Sequence, residues 1–278
     1  AMKASAGGYA RASSLRNALE MLAASDGNGR VLAGGQSLVA ALNLRLSAGD
    51  VLIDISRLSE LSRVTETQDG LRIGALTSHA EIGRNPLIRQ SAPLLSQAVE
   101  FIAHAAIRNR GTIGGALAHA DPAAEFPACV LALGATLHVE GLNGPRDIPV
   151  EDFFQDIFET AIEEGEILTG LSVPKAEPGE KQVIVEVARR SGDYALAGVC
   201  LVKRADGHRL SLFSVGPKPV LAEGAMAALD QGNINGAVQA LQAEIDPPSD
   251  TQASAAYRRH LAGVLLRRAA ARIEGGNA

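Results

Sequence analysis

Tryptophan is missing from this chain of 278 residues and aromatic residues make up 3% of it, while glycine occurs 29 times. Such usage points to closely packed backbones and small side chains rather than an aromatic-filled core. Cysteine occurs only at Cys129 and Cys200, far apart and each among apolar neighbours, as expected of small buried hydrophobes in a reducing compartment. Two thiols cannot ligate an iron-sulfur cluster alone. No apolar run approaches the roughly 20 residues that span a bilayer, and the stretch from Ala1 to Arg11 has no secretory apolar core, so the chain is expected to be cytoplasmic. The formal net charge is -5 and Lys and Arg are scattered, leaving no basic stripe for a run of phosphates. Nucleic acid is excluded as an expected partner.

What is present is ample apolar content, 46% of the residues, enough for one large core or two modest ones. Ser13 or Ser14 caps a helical pattern through Leu15, Ala18, Leu19 and Leu22. A strand is expected at Val31 to Ala33, a second helix through Leu38, Leu42 and Leu46, and a strand over Val51 to Asp54. This is an α/β unit. Short strands turning at Asp69-Gly70 follow, then a helix capped by Thr77 or Ser78 and another from Pro93 to Phe101. An apolar helix is expected at about 123 to 133, with strands at Thr136 to Val139 and Ile167 to Val173. The Lys, Glu, Pro and Gly content between Pro174 and Glu180 marks a domain boundary. Beyond it come three strand-like runs, Val183 to Ala188, Ala195 to Val202 and Leu210 to Val215. A basic amphipathic helix closes the chain from about Ala255 to Ile273, with Tyr257, Leu261, Val264 and Leu265 on one side.

Two diglycines, Gly34-Gly35 and Gly114-Gly115, sit where the chain turns into helical stretches, with hydroxyls at Ser37 and Thr112 nearby. Glycine admits positive φ and close backbone approach, so successive N–H groups can converge on a diphosphate at a helix start without any lysine. Turns and helix caps use diglycine for geometry alone, so the pattern leaves both readings open. Neither G-x-G-x-x-G nor a P-loop follows a strand, which argues against a Rossmann unit and a P-loop nucleotide site. His119 with Asp121 offers too few ligands for a metal. Gly35-Gln36-Ser37 lacks the glycine that a nucleophile elbow needs, since Val39 stands there. Arg108 and Arg110 suit either a phosphate clamp or an anchor for carboxylates or a partner subunit. Asp121 and Glu125, four apart, would share a helix face or simply favour a helix dipole.

Four strings taken together go further: Ala33-Gly34-Gly35-Gln36-Ser37-Leu38, Arg108-Asn109-Arg110-Gly111-Thr112-Ile113-Gly114-Gly115, Ala118-His119-Ala120-Asp121-Pro122-Ala123-Ala124-Glu125, and Arg189-Arg190-Ser191-Gly192-Asp193-Tyr194-Ala195. In order and spacing, over nearly the whole chain, they resemble the FAD-binding medium subunit of the xanthine dehydrogenase and carbon monoxide dehydrogenase family of molybdenum hydroxylases. The resemblance implies an α+β fold: a two-lobed FAD-binding domain of the PCMH type over 1–175, with lobes of about 1–55 and 56–175, then a C-terminal domain over 176–278 with a three-stranded antiparallel sheet and helices. It implies that the backbones of Ala33, Gly34, Gly35, Gln36, Ser37 and Leu38 and of Thr112, Ile113, Gly114, Gly115 and Ala116 wrap the FAD diphosphate. Asp121 and Glu125 would reach ribityl or ribose hydroxyls, Leu168 would supply a backbone or apolar contact, and Tyr194 would lie beside the flavin ring. Ala116 stands where relatives often carry Asn or Ser, and Glu186 where some carry Lys.

By the same resemblance, a large partner subunit carries the molybdenum cofactor and a small one the 2Fe-2S clusters, in a heterotrimer that forms dimers. This chain's FAD would pass their electrons to an external acceptor, with no protein acid, base or nucleophile and no bound metal. A self-sufficient flavin oxidoreductase acting on a small molecule, or a flavin-free assembly subunit, are the alternative readings.

Overall fold

A computed structural model describes residues 7–44 and 51–275. The first lobe is β1 (Gly8–Arg11), α1 (Leu15–Ala24), β2 (Gly29–Leu32), α2 (Leu38–Asn43) and β3 (Val51–Asp54). All three strands are parallel, in the order β1-β3-β2. Ser14 caps α1 by accepting from the Asn17 N–H at 3.1 Å. Leu46 of the expected second helix lies outside the described residues.

The second lobe begins with β4 (Val64–Glu66) and β5 (Gly70–Gly74) and continues through α3 (His79–Arg84), α4 (Pro86–Ser91), α5 (Pro93–Ala98), α6 (Ala105–Arg108), α7 (Ile113–His119) and α8 (Glu125–Leu133). It is completed by β6 (Thr136–Gly141), β7 (Gly144–Pro149), the hairpin of β8 (Phe154–Asp156) and β9 (Glu159–Thr160), and β10 (Ile167–Pro174). Its antiparallel sheet runs β4-β5-β10-β6-β7. Helix α8 is buried along its whole length, as a helix apolar on every side must be.

Beyond it lie β11 (Lys181–Ala188), β12 (Ala195–Arg204), β13 (Gly207–Phe213) and the two-residue β14 (Val220–Leu221), an antiparallel sheet in that order. The three expected long strands are therefore joined by a short fourth. Helices α9 (Glu223–Asp230), α10 (Ile234–Glu244) and α11 (Ala255–Ile273) complete the chain. Alternation along the strands gives this sheet two apolar faces. Val185, Val199, Leu201 and Leu212 pack on the C-terminal helices, while Ile184, Cys200, Val202 and Phe213 join the core around α8. On α11, Leu261 and Leu265 are buried as expected, but Tyr257 is 48% exposed because it sits at the first turn, clear of the sheet.

Side chains of the C-terminal sheet also tie down α8. The Arg204 guanidinium donates to the Leu133 carbonyl, and Arg209 donates to the Leu131 and Ala132 carbonyls at 2.9 and 3.1 Å. Leu131 also accepts from the capping Gly134 N–H at 3.2 Å, while the last carbonyls of a helix lack intrahelical donors, and a cation there is favoured by the helix dipole. The Ser211 hydroxyl donates to the Ala128 carbonyl at 2.6 Å. Cys129 and Cys200 are fully buried, as expected, and the fold brings them together across this interface with Sγ atoms 3.7 Å apart. Replacing Arg209 by Ala should cost about 1.5–3 kcal/mol in urea unfolding, the range for hydrogen bonds from a charged donor. Glu151→Ala, which removes only the partly exposed ion pair to Arg209, should cost under about 1 kcal/mol. Equal losses for the two variants would contradict the helix-capping role.

Candidate functional site

A cleft of about 900 Å³ opens between the two lobes, at the upper end of what small-ligand and cofactor sites occupy. Ala33, Gly34, Gly35, Gln36, Ser37, Leu38, Thr112, Gly114, Gly115, Ala116, Asp121, Glu125, Leu168 and Tyr194 all line it. Ile113 does not: its side chain is fully buried in the core of the second lobe. Segments distant in sequence thus converge on one cavity, whose wall also includes residues not anticipated, among them His79, Phe126, Leu22, Arg30 and Glu163 to Glu166. Leu22 follows the helical period of α1 and reads as core; no sequence signal marks His79 or the Glu163 to Glu166 turn.

The first loop has the features of an anion cradle. Gly35 has φ +72°, the left-handed region that glycine occupies without strain. Among the described residues, the N–H groups of Gly34, Gly35, Gln36, Ser37 and Leu38 have no protein acceptor. Ser37 starts α2 without a side-chain capping bond, which leaves its hydroxyl available. Gly34 has a different task. A Cβ there would stand 2.1 Å from the Arg110 carbonyl oxygen, so only glycine lets the two loops meet backbone to backbone.

The second loop departs from the expected cradle because the donors of residues 113–116 are already engaged. The Ile113 N–H donates to the Thr77 carbonyl and the Gly114 N–H to the Ala75 carbonyl, at 3.0 and 2.8 Å. The Gly115 N–H donates to the Thr112 hydroxyl at 3.1 Å, making Thr112 the N-cap of α7. Gly114 is required by packing, since its Cβ would lie 2.4 Å from that of Ala75. Gly114 therefore seats the start of α7 against Ala75, just beyond β5, and the glycine pair forms the wall opposite the first loop. Arg108 does not line the cleft, and its Nη1 donates to the Ile102 and Ala103 carbonyls. Arg110 is exposed, and its contribution here is its backbone against Gly34.

Asp121 and Glu125 do not share a helix face as the spacing allowed. Ala120 takes the left-handed conformation at the end of α7, Asp121 accepts from the Ala123 N–H at 2.9 Å in the following turn, and Glu125 is the first residue of α8. Both still face the cleft. Burial, and then the negative charges of Glu186 and Asp121, push the Glu125 carboxyl up to about 8. Burial alone pushes Glu186 up to about 7. Tyr194 precedes β12 and is 65% exposed as a residue, while the sheltering of its hydroxyl and the charge of Asp121 raise it to about 12. Burial holds His79 down to about 4, so its ring is uncharged at neutral pH. Asp193 and Tyr194 are held against the second lobe through Gly192, at φ +83°, where a Cβ would meet the Ala103 carbonyl oxygen at 2.7 Å.

His119 stacks against Phe158 with ring centroids 4.9 Å apart, and among the described residues no group of three His, Cys, Asp or Glu side chains is placed to hold a metal. Among the described residues no helix is long and apolar enough to cross a membrane. The wall is instead suited to a large, partly apolar, hydroxyl-bearing anion: unpaired N–H donors and a hydroxyl on one loop, acid groups on α8 and before it, and apolar side chains such as Leu22, Val31, Leu32 and Leu168 between.

Comparison with known proteins gives the same answer over nearly the full length. Residues 3–176 match the FAD binding domain in molybdopterin dehydrogenase, and residues 183–273 match the CO dehydrogenase flavoprotein C-terminal domain. The chain is 38% identical to the glyceraldehyde dehydrogenase medium chain of Sulfolobus acidocaldarius, over 94% of this chain and 96% of that one. Its fold superposes on a chain of carbon monoxide dehydrogenase from Hydrogenophaga pseudoflava with a TM-score of 0.95 and 32% identity, covering all of both chains. Against a chain of quinoline 2-oxidoreductase from Pseudomonas putida 86 the TM-score is 0.92, with 32% identity over 99% of each. The chain belongs to the FAD subunits of the molybdenum hydroxylases, a family of multi-subunit oxidoreductases.

Proposed function

We propose that this subunit holds FAD in the interlobe cleft, receives electrons from an iron-sulfur subunit and delivers them to an external acceptor. The observation that carries the proposal is the Gly34 to Leu38 loop: a run of N–H groups without protein acceptors, facing a cleft of cofactor size. The backbone of Ala33, Gly34, Gly35, Gln36, Ser37 and Leu38 would hold the diphosphate. Thr112, Gly114, Gly115 and Ala116 would close the opposite wall, and Ile113 would act only through its place in the core. Asp121 and Glu125 would bond hydroxyl groups of the cofactor, Leu168 would give a backbone or apolar contact, and Tyr194 would lie beside the ring.

Bound FAD supplies the means of taking electrons singly and releasing them as a pair; the protein's share is position and electrostatics. The division we favour is an FAD-binding domain over 1–175, with lobes of about 1–55 and 56–175, and a C-terminal domain over 176–278. The connecting segment between β10 and β11 supports the division, since the first of these ends at Pro174 and the second begins at Lys181. Partners would be a large molybdenum-cofactor subunit and a small 2Fe-2S subunit, paired as a dimer of heterotrimers in the cytoplasm. Medium chains of carbon monoxide dehydrogenases among the relatives support a shared complex.

Purified with its partners, the chain should show flavin absorption that bleaches on addition of the complex's substrate. The chain purified alone should not bleach. Bleaching of the lone chain by a small molecule would favour a self-sufficient enzyme, and absence of flavin after reconstitution would favour an assembly subunit. Gly34→Ala should weaken FAD retention at least about tenfold, because its Cβ forces the two loops apart and a misplaced cradle loses its aligned bonds. Titration of the apoprotein with FAD, followed by fluorescence, measures this; unchanged affinity would contradict the assignment.

A further inference from the structure

The side chains of β11 that face the second lobe are Gln182, Ile184 and Glu186, two residues apart. Gln182 is satisfied: its side-chain oxygen accepts from the Leu94 N–H at 2.9 Å and its backbone carbonyl accepts from Gln97, also at 2.9 Å. Glu186 has no such match, and its Oε2 is fully buried without a hydrogen-bond partner. Beyond it, where the interface reaches the cleft, stands Glu125, 7% exposed and near enough to feel the charge of Glu186. The Cys129 thiol, one turn along α8, feels both.

The groups around the two acids are anionic, neutral or committed elsewhere. Helix α8 carries no other charged residue, α5 carries none, and neither does β12 before Lys203. Asp121 and Tyr194 lie on the cleft side and His79 is neutral. Arg108 is bonded to two carbonyls, Arg189 to Gln252, Arg204 to Glu180 and Leu133, Lys203 to Glu274, and Arg209 to the end of α8 and Glu151. Arg190 is exposed.

We propose that Glu186 is a positioning residue that acts through Glu125. The buried Glu125 carboxyl and the half-buried Glu186 carboxyl, with no cation bonded to either among the described residues, retain a proton between them, so the cleft wall beside Tyr194 presents an uncharged acid at neutral pH and becomes anionic above it. This inference rests on the reading of the cleft as an FAD site. An un-ionised carboxyl can donate a hydrogen bond as well as accept one, which a carboxylate cannot. The direction of the pH effect follows from the raised values, about 8 for Glu125 and about 7 for Glu186. Below neutrality both are uncharged; as the pH rises through that window negative charge accumulates, and an anionic cofactor is held less well.

The test uses the full chain, first free of cofactor. Difference infrared spectroscopy of wild type at neutral pH should show the carbonyl stretch of an un-ionised carboxylic acid. The band should fade as the pH is raised and be diminished in both Glu186→Gln and Glu125→Gln. FAD titrations should then show affinity in wild type falling about tenfold from slightly acidic to clearly basic pH, and only about threefold in Glu186→Gln, where a single acid remains and ionises earlier. A spectrum with ionised carboxylates alone at neutral pH would overturn the proposal. So would a pH profile of FAD affinity unchanged by Glu186→Gln. Failure of wild type to take up FAD at any pH would instead count against the FAD reading, while the infrared band would still decide the state of the pair.

Discussion

Backbone contact between Gly34 and the Arg110–Gly111 turn is the constraint on which the site depends. It joins a parallel three-stranded lobe to an antiparallel five-stranded one at the point where both present loops to the cleft. With any side chain at position 34 the loops separate, and the donors of residues 34–38 no longer face a wall at fixed distance. A second close approach, Gly114 on Ala75, fixes the opposite wall by seating the start of α7 on the residue that follows β5. The two diglycines look alike in sequence yet divide the labour. One leaves its N–H groups open to a ligand, and the other spends them on its own lobe.

The acid end of the cleft is governed by a different interface. Helix α8 has all nine residues buried because the second-lobe core and the C-terminal sheet cover it, and Arg204, Arg209 and Ser211 bond its carbonyls. The same packing carries Glu125 and one carboxyl oxygen of Glu186 out of water and places Cys129 against Cys200. Burial of charge without a counterion is costly. The two acids beside the cleft meet that cost by holding the proton, at the one end of α8 that carries an ionisable carboxyl.

Much of this was legible in the sequence where local rules act alone. Ser14 and Ser78 cap α1 and α3 as their positions announce, the apolar helix α8 and the terminal helix α11 fall where periodicity puts them, and the strings around Gly34, Thr112, Asp121 and Tyr194 do meet at one cavity. What escaped depends on partners distant in the chain. Strand β1 is four half-exposed residues that gain strand form only by pairing with β3, and β7 is an edge strand with Pro, Arg and Asp in its sequence. Engagement of the Ile113 and Gly114 N–H groups required Thr77 and Ala75 to be in place, which no local pattern reveals. The same holds for the orphaned oxygen of Glu186, which the sequence marks only as an acid where some relatives carry Lys.

The most direct test of the central claim, that the first diglycine loop grips the cofactor while the second only forms its wall, is amide hydrogen exchange resolved by residue, with and without FAD. Strong new protection at residues 34–38, with little change at Ile113, Gly114 and Gly115 because those N–H groups are already bonded, is the result the account predicts. Protection gained mainly at 113–115, or equally at both loops, would contradict it.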